Sequence, residues 1–209
     1  MNICFIMYPW ERVDAVNDST LRIIHEASFR GHNVGIMVPS NLTIRDNEVF
    51  GFVKMIKKME KTPTDPTRFH GKVKFNEELL PISGFDAIFL RANPPVDTTM
   101  LNFLDSVKDD VLIINDIDGI RKANNKLYTA AMFDGGAGII PKTYVSKNKD
   151  YLQRVIKESD DDKMILKPLD GYGGNGVIVL EKKAAQSISS LLDFYINGQK
   201  EQKLSLIHI

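Results

Sequence analysis

The stretch from Lys163 to Glu181, KMILKPLDGYGGNGVIVLE, constrains this chain more than any other. A β-type apolar run (Met164, Ile165, Leu166) and Lys167 precede a glycine-dense loop, and a second β-type run, Val177 to Leu180, follows it. Phosphate loops of the Walker and dinucleotide kinds open a helix, so that its N-terminus meets the phosphate. The Val-Ile-Val-Leu that follows here is β-branched and a poor helix start, which excludes both. What remains is a hairpin flap. Gly171, Gly173, Gly174 and Gly176 can adopt positive φ and let a polyphosphate approach the backbone, with Lys167 beside them as a point charge. An ordinary glycine-rich hairpin with one exposed lysine fits the spacing equally well.

The 209 residues are 43% hydrophobic and 26% charged, enough for one or two domains with real cores. Lys plus Arg and Asp plus Glu are both 27, so no basic field points to nucleic acid and a small-molecule partner is the default. Cys4 is the single cysteine, in an apolar run, and reads as a buried structural thiol. His25, His32, His70 and His208 show no metal-ligand spacing, and no metal ligand is assigned. No apolar run approaches the length of a membrane span and the N-terminus lacks the form of a signal peptide, so the expected location is the cytoplasm.

In chain order, Asn2 to Met7 is a strand and Asp18 or Ser19 caps a helix with Leu21, Ile24, Ala27 and Ser28 at helical spacing, closed by Gly31. Val34 to Val38 is a second strand, and this βαβ opening predicts a parallel sheet. Thr43 to Val49 around Asp46-Asn47 reads as a hairpin, Val53 to Lys61 as a basic amphipathic stretch with a solvated face, and Thr62 to Pro66 as a turn region. Phe85 to Leu90 is a strand that runs into Arg91 and a double proline, with Asp97 or Thr98 capping a helix to about Val107. Val111 to Ile114 is a strand ending at Asn115-Asp116. Ligands of open parallel sheets sit beyond the carboxyl ends of strands, which places Arg91 and Asn115 at a cleft, although Arg91 could equally form a surface ion pair. Ile120 to Phe133 reads as one helix carrying Lys126, broken by Gly135-Gly-Ala-Gly. Pro141 to Ser146 then gives a short strand, and Asp150 caps a helix through Lys157. Asp160 to Asp162 reads as a solvated acidic turn, and a last helix runs from about Ala184 to Tyr195.

Four segments together resemble the ATP-grasp superfamily and, within it, the bacterial glutathione synthetases. They are Leu90-Arg-Ala-Asn-Pro-Pro-Val-Asp-Thr, Asn115-Asp116 with Gly119-Ile-Arg-Lys-Ala-Asn-Asn-Lys-Leu, Pro141-Lys-Thr-Tyr-Val, and Ile165-Leu-Lys-Pro-Leu-Asp-Gly-Tyr-Gly-Gly-Asn-Gly-Val. The last is shared by many relatives, whereas Arg-x-x-Pro-Pro-x-Asp-Thr is the more specific. The expected architecture is α/β, with an N-terminal parallel-sheet, three-layer, Rossmann-like substrate domain over 1–120 and a small α+β ATP-grasp subdomain over 121–203.

The resemblance implies ATP-dependent joining of γ-glutamylcysteine to glycine through an acyl phosphate. Lys126 and Lys167 would bind ATP phosphates under the flap glycines 171, 173, 174 and 176, and Arg91, Asp18 and Ser19 would lie on the peptide-substrate side. Beyond the phosphate-binding lysines no catalytic group is assigned. Family members continue with a further unit that supplies the Mg²⁺ ligands, so those are expected beyond the C-terminal end, and residues 204–209 read as a foreign or truncated tail. Such a chain is expected not to complete the reaction alone. Family members of this kind commonly self-associate. Two other readings fit: an ATP-grasp ligase that adds an amino acid to a different acid, and a noncatalytic module binding a small metabolite.

Overall fold

The computed structural model describes residues 1–124, 126–132, 138–169, 171–197 and 204–208. The chain divides into two compact units, Met1–Ile120 and Arg121–Ile209.

The first unit opens with β1 (Asn2–Met7), α1 (Ser19–Phe29) and β2 (Asn33–Met37), and β1 pairs parallel with β2. Gly31, at φ 83°, ends α1 where a Cβ would be strained. Next come β3 (Leu42–Arg45) and β4 (Glu48–Ile56), then α2 (Pro66–Lys72) and β5 (Phe75–Pro81). β6 (Ala87–Arg91), α3 (Thr98–Asp105), β7 (Leu112–Ile114) and the first four residues of α4 (Ile117–Ala123) follow. β6 pairs parallel with β1 on one edge and with β7 on the other.

Only part of this sheet is parallel, which corrects the expectation drawn from the βαβ opening. β4 runs antiparallel to β2, β3 and β5. The reversal begins at the expected hairpin, where Asp46 (φ 51°) and Asn47 (φ 67°) form a two-residue turn with both centres in the left-handed region. The basic stretch expected over 53–61 is strand as far as Ile56, because Val49, Gly51 and Val53 are buried in alternation and that period of two decides the structure. Lys54 lies in that strand, 3.5 Å from Glu11 and 3.9 Å from Glu77. Neither α2 nor β5 was expected. β5 is mostly exposed, so it lacks the alternation that marks a half-buried strand.

The sheet has a core on each face. Ile3, Phe5 and Met7 of β1 join Leu21, Ile24 and Ala27 of α1 and Phe69 of α2 on one side. Cys4 and Ile6 join Met100, Leu101 and Leu104 of α3 and Ile117 of α4 on the other. A strand buried on both faces reads as a continuous apolar run, as β1 does. This is the expected three-layer α/β arrangement.

The second unit holds α5 (Lys126–Ala130), β8 (Thr143–Ser146), α6 (Lys149–Glu158), β9 (Lys163–Pro168), β10 (Ile178–Glu181), α7 (Ala185–Asn197) and β11 (Leu204–His208). The single helix expected over 120–133 is two, α4 and α5, α4 ending before Asn124, a weak helix former. Phe133 and residues 135–137 of the glycine run lie outside the described residues. Asn148, not Asp150, caps α6: its carboxamide oxygen accepts from Tyr151 N at 2.9 Å. The four strands form an antiparallel sheet in the order β10, β9, β11, β8. Leu204–His208, within the stretch expected as a foreign or truncated tail, pairs with β9 on one side and β8 on the other. Met164 and Leu166 of β9 pack with Leu152 and Ile156 of α6 and Leu192 and Tyr195 of α7.

Candidate functional site

In the first unit a cleft of about 380 Å³ opens at the carboxyl ends of β1, β6 and β7, against the first turn of α1. Tyr8, Asp18, Ser19, Arg91, Asn93 and Asn115 are among its lining residues. From β1 the chain pairs outward to β2 on one side and to β6 on the other, so this is the switch point of the parallel strands, where such sheets hold ligands.

The expected residues Asp18, Ser19 and Arg91 come together here, in distinct roles. Asp18 is the N-cap of α1 and accepts from Leu21 N at 2.8 Å. Arg91, the last residue of β6, donates from Nη2 to Ser19 Oγ at 2.8 Å and from Nε to Thr20 Oγ1 at 3.0 Å. Arg91 is therefore held by the hydroxyls of a helix start and not by a surface carboxylate. These bonds use two of the five N–H donors of the guanidinium. The arrangement suits an anionic ligand group: a fixed cation stands beside a helix N-terminus. Thr20, buried at 3% exposure, was not anticipated; a second hydroxyl after the N-cap was the only signal. Asn115 also lines the cleft, and Asp116 turns away to cap α4, accepting from Gly119 N at 2.5 Å.

In the second unit β9 and β10 form the expected hairpin. Ile178 pairs with Leu166 and Glu181 with Lys163, leaving the glycine segment as the connection. Gly173, Gly174 and Gly176 have φ of 61°, 77° and 69°. Apart from the adjoining residues, no atom of the described chain lies within 4 Å of where a Cβ would stand at Gly173 or Gly174, so the tip of the loop is open to an approaching ligand. Gly171 has no positive φ. Its place follows from crowding, since a Cβ would lie 3.2 Å from the Asn175 carbonyl oxygen and 3.3 Å from Pro168 Cγ. Lys167 is half-buried, one residue out of phase with the buried Leu166 and Pro168, and so on the face of β9 turned from α6 and α7.

Lys126 begins α5 at the foot of the hairpin. Its ammonium donates to the carbonyls of Pro168 at 2.8 Å, Leu169 at 3.2 Å and Gly171 at 2.5 Å, and its backbone N–H also reaches the Leu169 carbonyl at 3.2 Å. Both lysines thus lie where β9 leaves the sheet. Cys4, fully buried, has its thiol pushed up to about 12 by desolvation, a structural group with no nucleophilic character. Among the described residues no three His, Cys, Asp or Glu side chains gather as a metal site, and no helix is long and apolar enough to cross a membrane.

Two family models match in succession. The N-terminal domain of prokaryotic glutathione synthetase covers residues 1–121 and its ATP-grasp domain covers residues 125–207. The chain belongs to the prokaryotic glutathione synthetase family. Residues 204–207, which the motifs alone left outside that family, fall inside the second match. Among similar glutathione synthetases, that of Thermosynechococcus vestitus is 30% identical over 97% of this chain and 63% of its own length. That of Nitrosomonas europaea is 28% identical over 87% of this chain and 55% of its own length. The chain thus spans little more than half the length of these relatives. Solved structures share the fold. A RimK domain ATP-grasp protein from Sphaerobacter thermophilus superposes with a TM-score of 0.62 at 15% identity, over 100% of this chain and 64% of that one. The D-cycloserine synthetase DcsG gives 0.61 at 13% identity, over 99% and 59%.

Proposed function

We propose that this chain supplies the substrate-binding unit and the first nucleotide-binding half of a ligase that joins γ-glutamylcysteine to glycine with ATP. The observation that carries this reading is the β9–β10 glycine hairpin with Lys126 and Lys167 at its start, in a chain matched by both glutathione synthetase domains.

A carboxylate is a poor electrophile, so the reaction class requires its oxygen to take the γ-phosphoryl group of ATP before the glycine amine attacks and expels phosphate. The protein's part is to position the reactants and offset charge on the transferring group. Lys167 contributes a point charge at the exit of β9, and the open backbone at Gly173 and Gly174 admits the phosphates without a side chain in the way. Lys126 contributes a second charge while holding the carbonyls at the foot of the flap. The closed hairpin keeps water from an acyl phosphate. Arg91, fixed by Ser19 and Thr20, takes a carboxylate of the peptide substrate in the cleft, where Asp18 maintains the helix start. Mg²⁺ accompanies ATP in this chemistry. The described residues offer no cluster to hold it, so no step is assigned to a metal bound by them.

The test is calorimetry with ATP and Mg²⁺ on this chain and on a form extended to the length of its relatives, followed by a ligation assay. The expected result is that the extended form binds ATP and makes glutathione, while the 209-residue chain makes none. Absence of ATP binding by both forms overturns the roles given to Lys126, Lys167 and the flap. Preference of the extended form for another acid over γ-glutamylcysteine overturns the substrate.

A further inference from the structure

The glycine flap has an open tip and a clamped base, and the clamp on its exit side comes from a residue far along the chain. The Tyr195 hydroxyl, on α7, donates to the Gly176 carbonyl at 2.9 Å. Tyr195 is 5% exposed and belongs to the same core as Leu152, Leu166 and Leu192, and its ring meets Phe194 edge-on at 5.6 Å. A phenol with its ring fixed in this way has little freedom to follow a moving loop. Gly176 is confined from the other side too. A Cβ there would stand 2.7 Å from Pro168 Cγ and 3.7 Å from the Tyr195 hydroxyl, and its φ of 69° already excludes most side chains. Gly176 is thus wedged between the end of β9 and the last turns of α7.

We propose that Tyr195 is a positioning residue for the glycine flap: its hydroxyl fixes the exit of the loop at Gly176, as Lys126 fixes the entry at Pro168, Leu169 and Gly171, so that motion is confined to the tip. Inside the hairpin, Asn175 N–H donates to Tyr172 O at 3.1 Å and Val177 N–H to Gly174 O at 3.2 Å, so the turn keeps its own shape while its base is held. A loop of this build closes over a ligand at a small ordering cost, because most of its backbone is already placed. Burial holds the phenol of Tyr195 above its ordinary pKa, so it remains a donor through the physiological range. The consequence for nucleotide affinity rests on the function proposed above. The anchoring itself does not.

Tyr195→Phe removes one oxygen and keeps the ring in the core, so the fold is retained. Hydrogen exchange of this chain without nucleotide should show amides of residues 172–178 exchanging about fivefold faster in Tyr195→Phe, the factor expected for one typical hydrogen bond, with α6 unchanged. Unchanged flap exchange overturns the proposal, as does faster exchange spread equally through α6, which would make Tyr195 a general core residue. Tyr195→Leu, which loses ring and hydroxyl together, separates the two: under the proposal it accelerates the flap no less than Tyr195→Phe and disturbs α6 besides. If the flap were governed by the ring alone, only Tyr195→Leu would accelerate it, and the proposal would fall. In ATP calorimetry on the extended form, Tyr195→Phe should weaken binding by a similar factor. Absence of ATP binding by the wild type would count against the function reading, while the exchange comparison in the nucleotide-free chain would still decide the anchor.

Discussion

Lys126 and Lys167 carry the same charge in different settings, and their substitutions should separate accordingly. Lys167 is half-buried on the face of β9 turned from the core, so Lys167→Ala should weaken ATP binding tenfold or more, in line with about 1.5–3 kcal/mol for a bond to a charged group. Lys126→Ala should weaken ATP binding and also destabilise the second unit by about 1–3 kcal/mol, because the carbonyls of Pro168 and Gly171 lose the ammonium donor and that of Leu169 keeps only the backbone N–H. Calorimetry of both variants in the extended form and thermal melts of Lys126→Ala check this; a Lys126→Ala melting temperature equal to that of the wild type would show that the carbonyl contacts carry no weight. At Cys4 burial raises the thiol from 9.0 to about 12 in the folded chain, so folding favours the protonated form. That contribution is fully present below about pH 9 and is lost as pH rises toward 12. Urea midpoints measured from pH 8 to pH 11 should therefore fall more steeply for the wild type than for Cys4→Ala, and a disulfide reagent at pH 8 should leave the folded thiol unmodified. Parallel midpoints for the two proteins would contradict the burial of this group.

The start of α1 links helix capping to the cleft. Asp18 holds the first turn through Leu21 N, and that turn presents Ser19 and Thr20 to Arg91. Asp18→Ala should cost about 1 kcal/mol in stability, typical of a lost N-cap. In the extended form it should also raise KM for the peptide substrate, because the hydroxyls that aim Arg91 sit on the frayed turn; an unchanged KM would detach Asp18 from the site. Elements of this kind were legible because the signal is local: a capping residue before an apolar periodicity gave α1 and α3, and Asp46-Asn47 between β-prone runs gave the β3–β4 turn. Beyond that hairpin the antiparallel part of the sheet was not legible, since β5 pairs with β4 along seven registered positions while its own burial shows no clear alternation. In the site, the glycines and both lysines were visible as a motif. The carbonyl contacts of Lys126, 42 to 45 residues along the chain, and the anchor from Tyr195, 19 residues away, depend on tertiary packing that no window of sequence records.

At the scale of the molecule, the division at Ile120 and Arg121 follows from where each unit finds its core. Among the described residues, the clusters that bury both faces of β1 draw on positions up to 120, and β1 acquires its second parallel neighbour when β6 arrives at Ala87–Arg91. Residues 1–120 should therefore fold alone and cooperatively, whereas a fragment ending before β6 should not, since it would leave Cys4 and Ile6 without the α3 side of their core. The chain contains one tryptophan, Trp10, and it lies in this unit at 8% exposure, stacked on His70 at 4.6 Å and edge-on to Phe75 at 5.4 Å. Its fluorescence thus reports the first unit and no other. In urea, the Trp10 transition of the 209-residue chain should superpose on that of the 1–120 fragment, while far-ultraviolet circular dichroism of the whole chain should show an additional transition from the sheet of β8 to β11. A Trp10 midpoint of the 1–120 fragment well below the Trp10 midpoint of the whole chain would mean that the N-terminal core depends on residues beyond 120, and the two cores would then have to be treated as one cooperative structure.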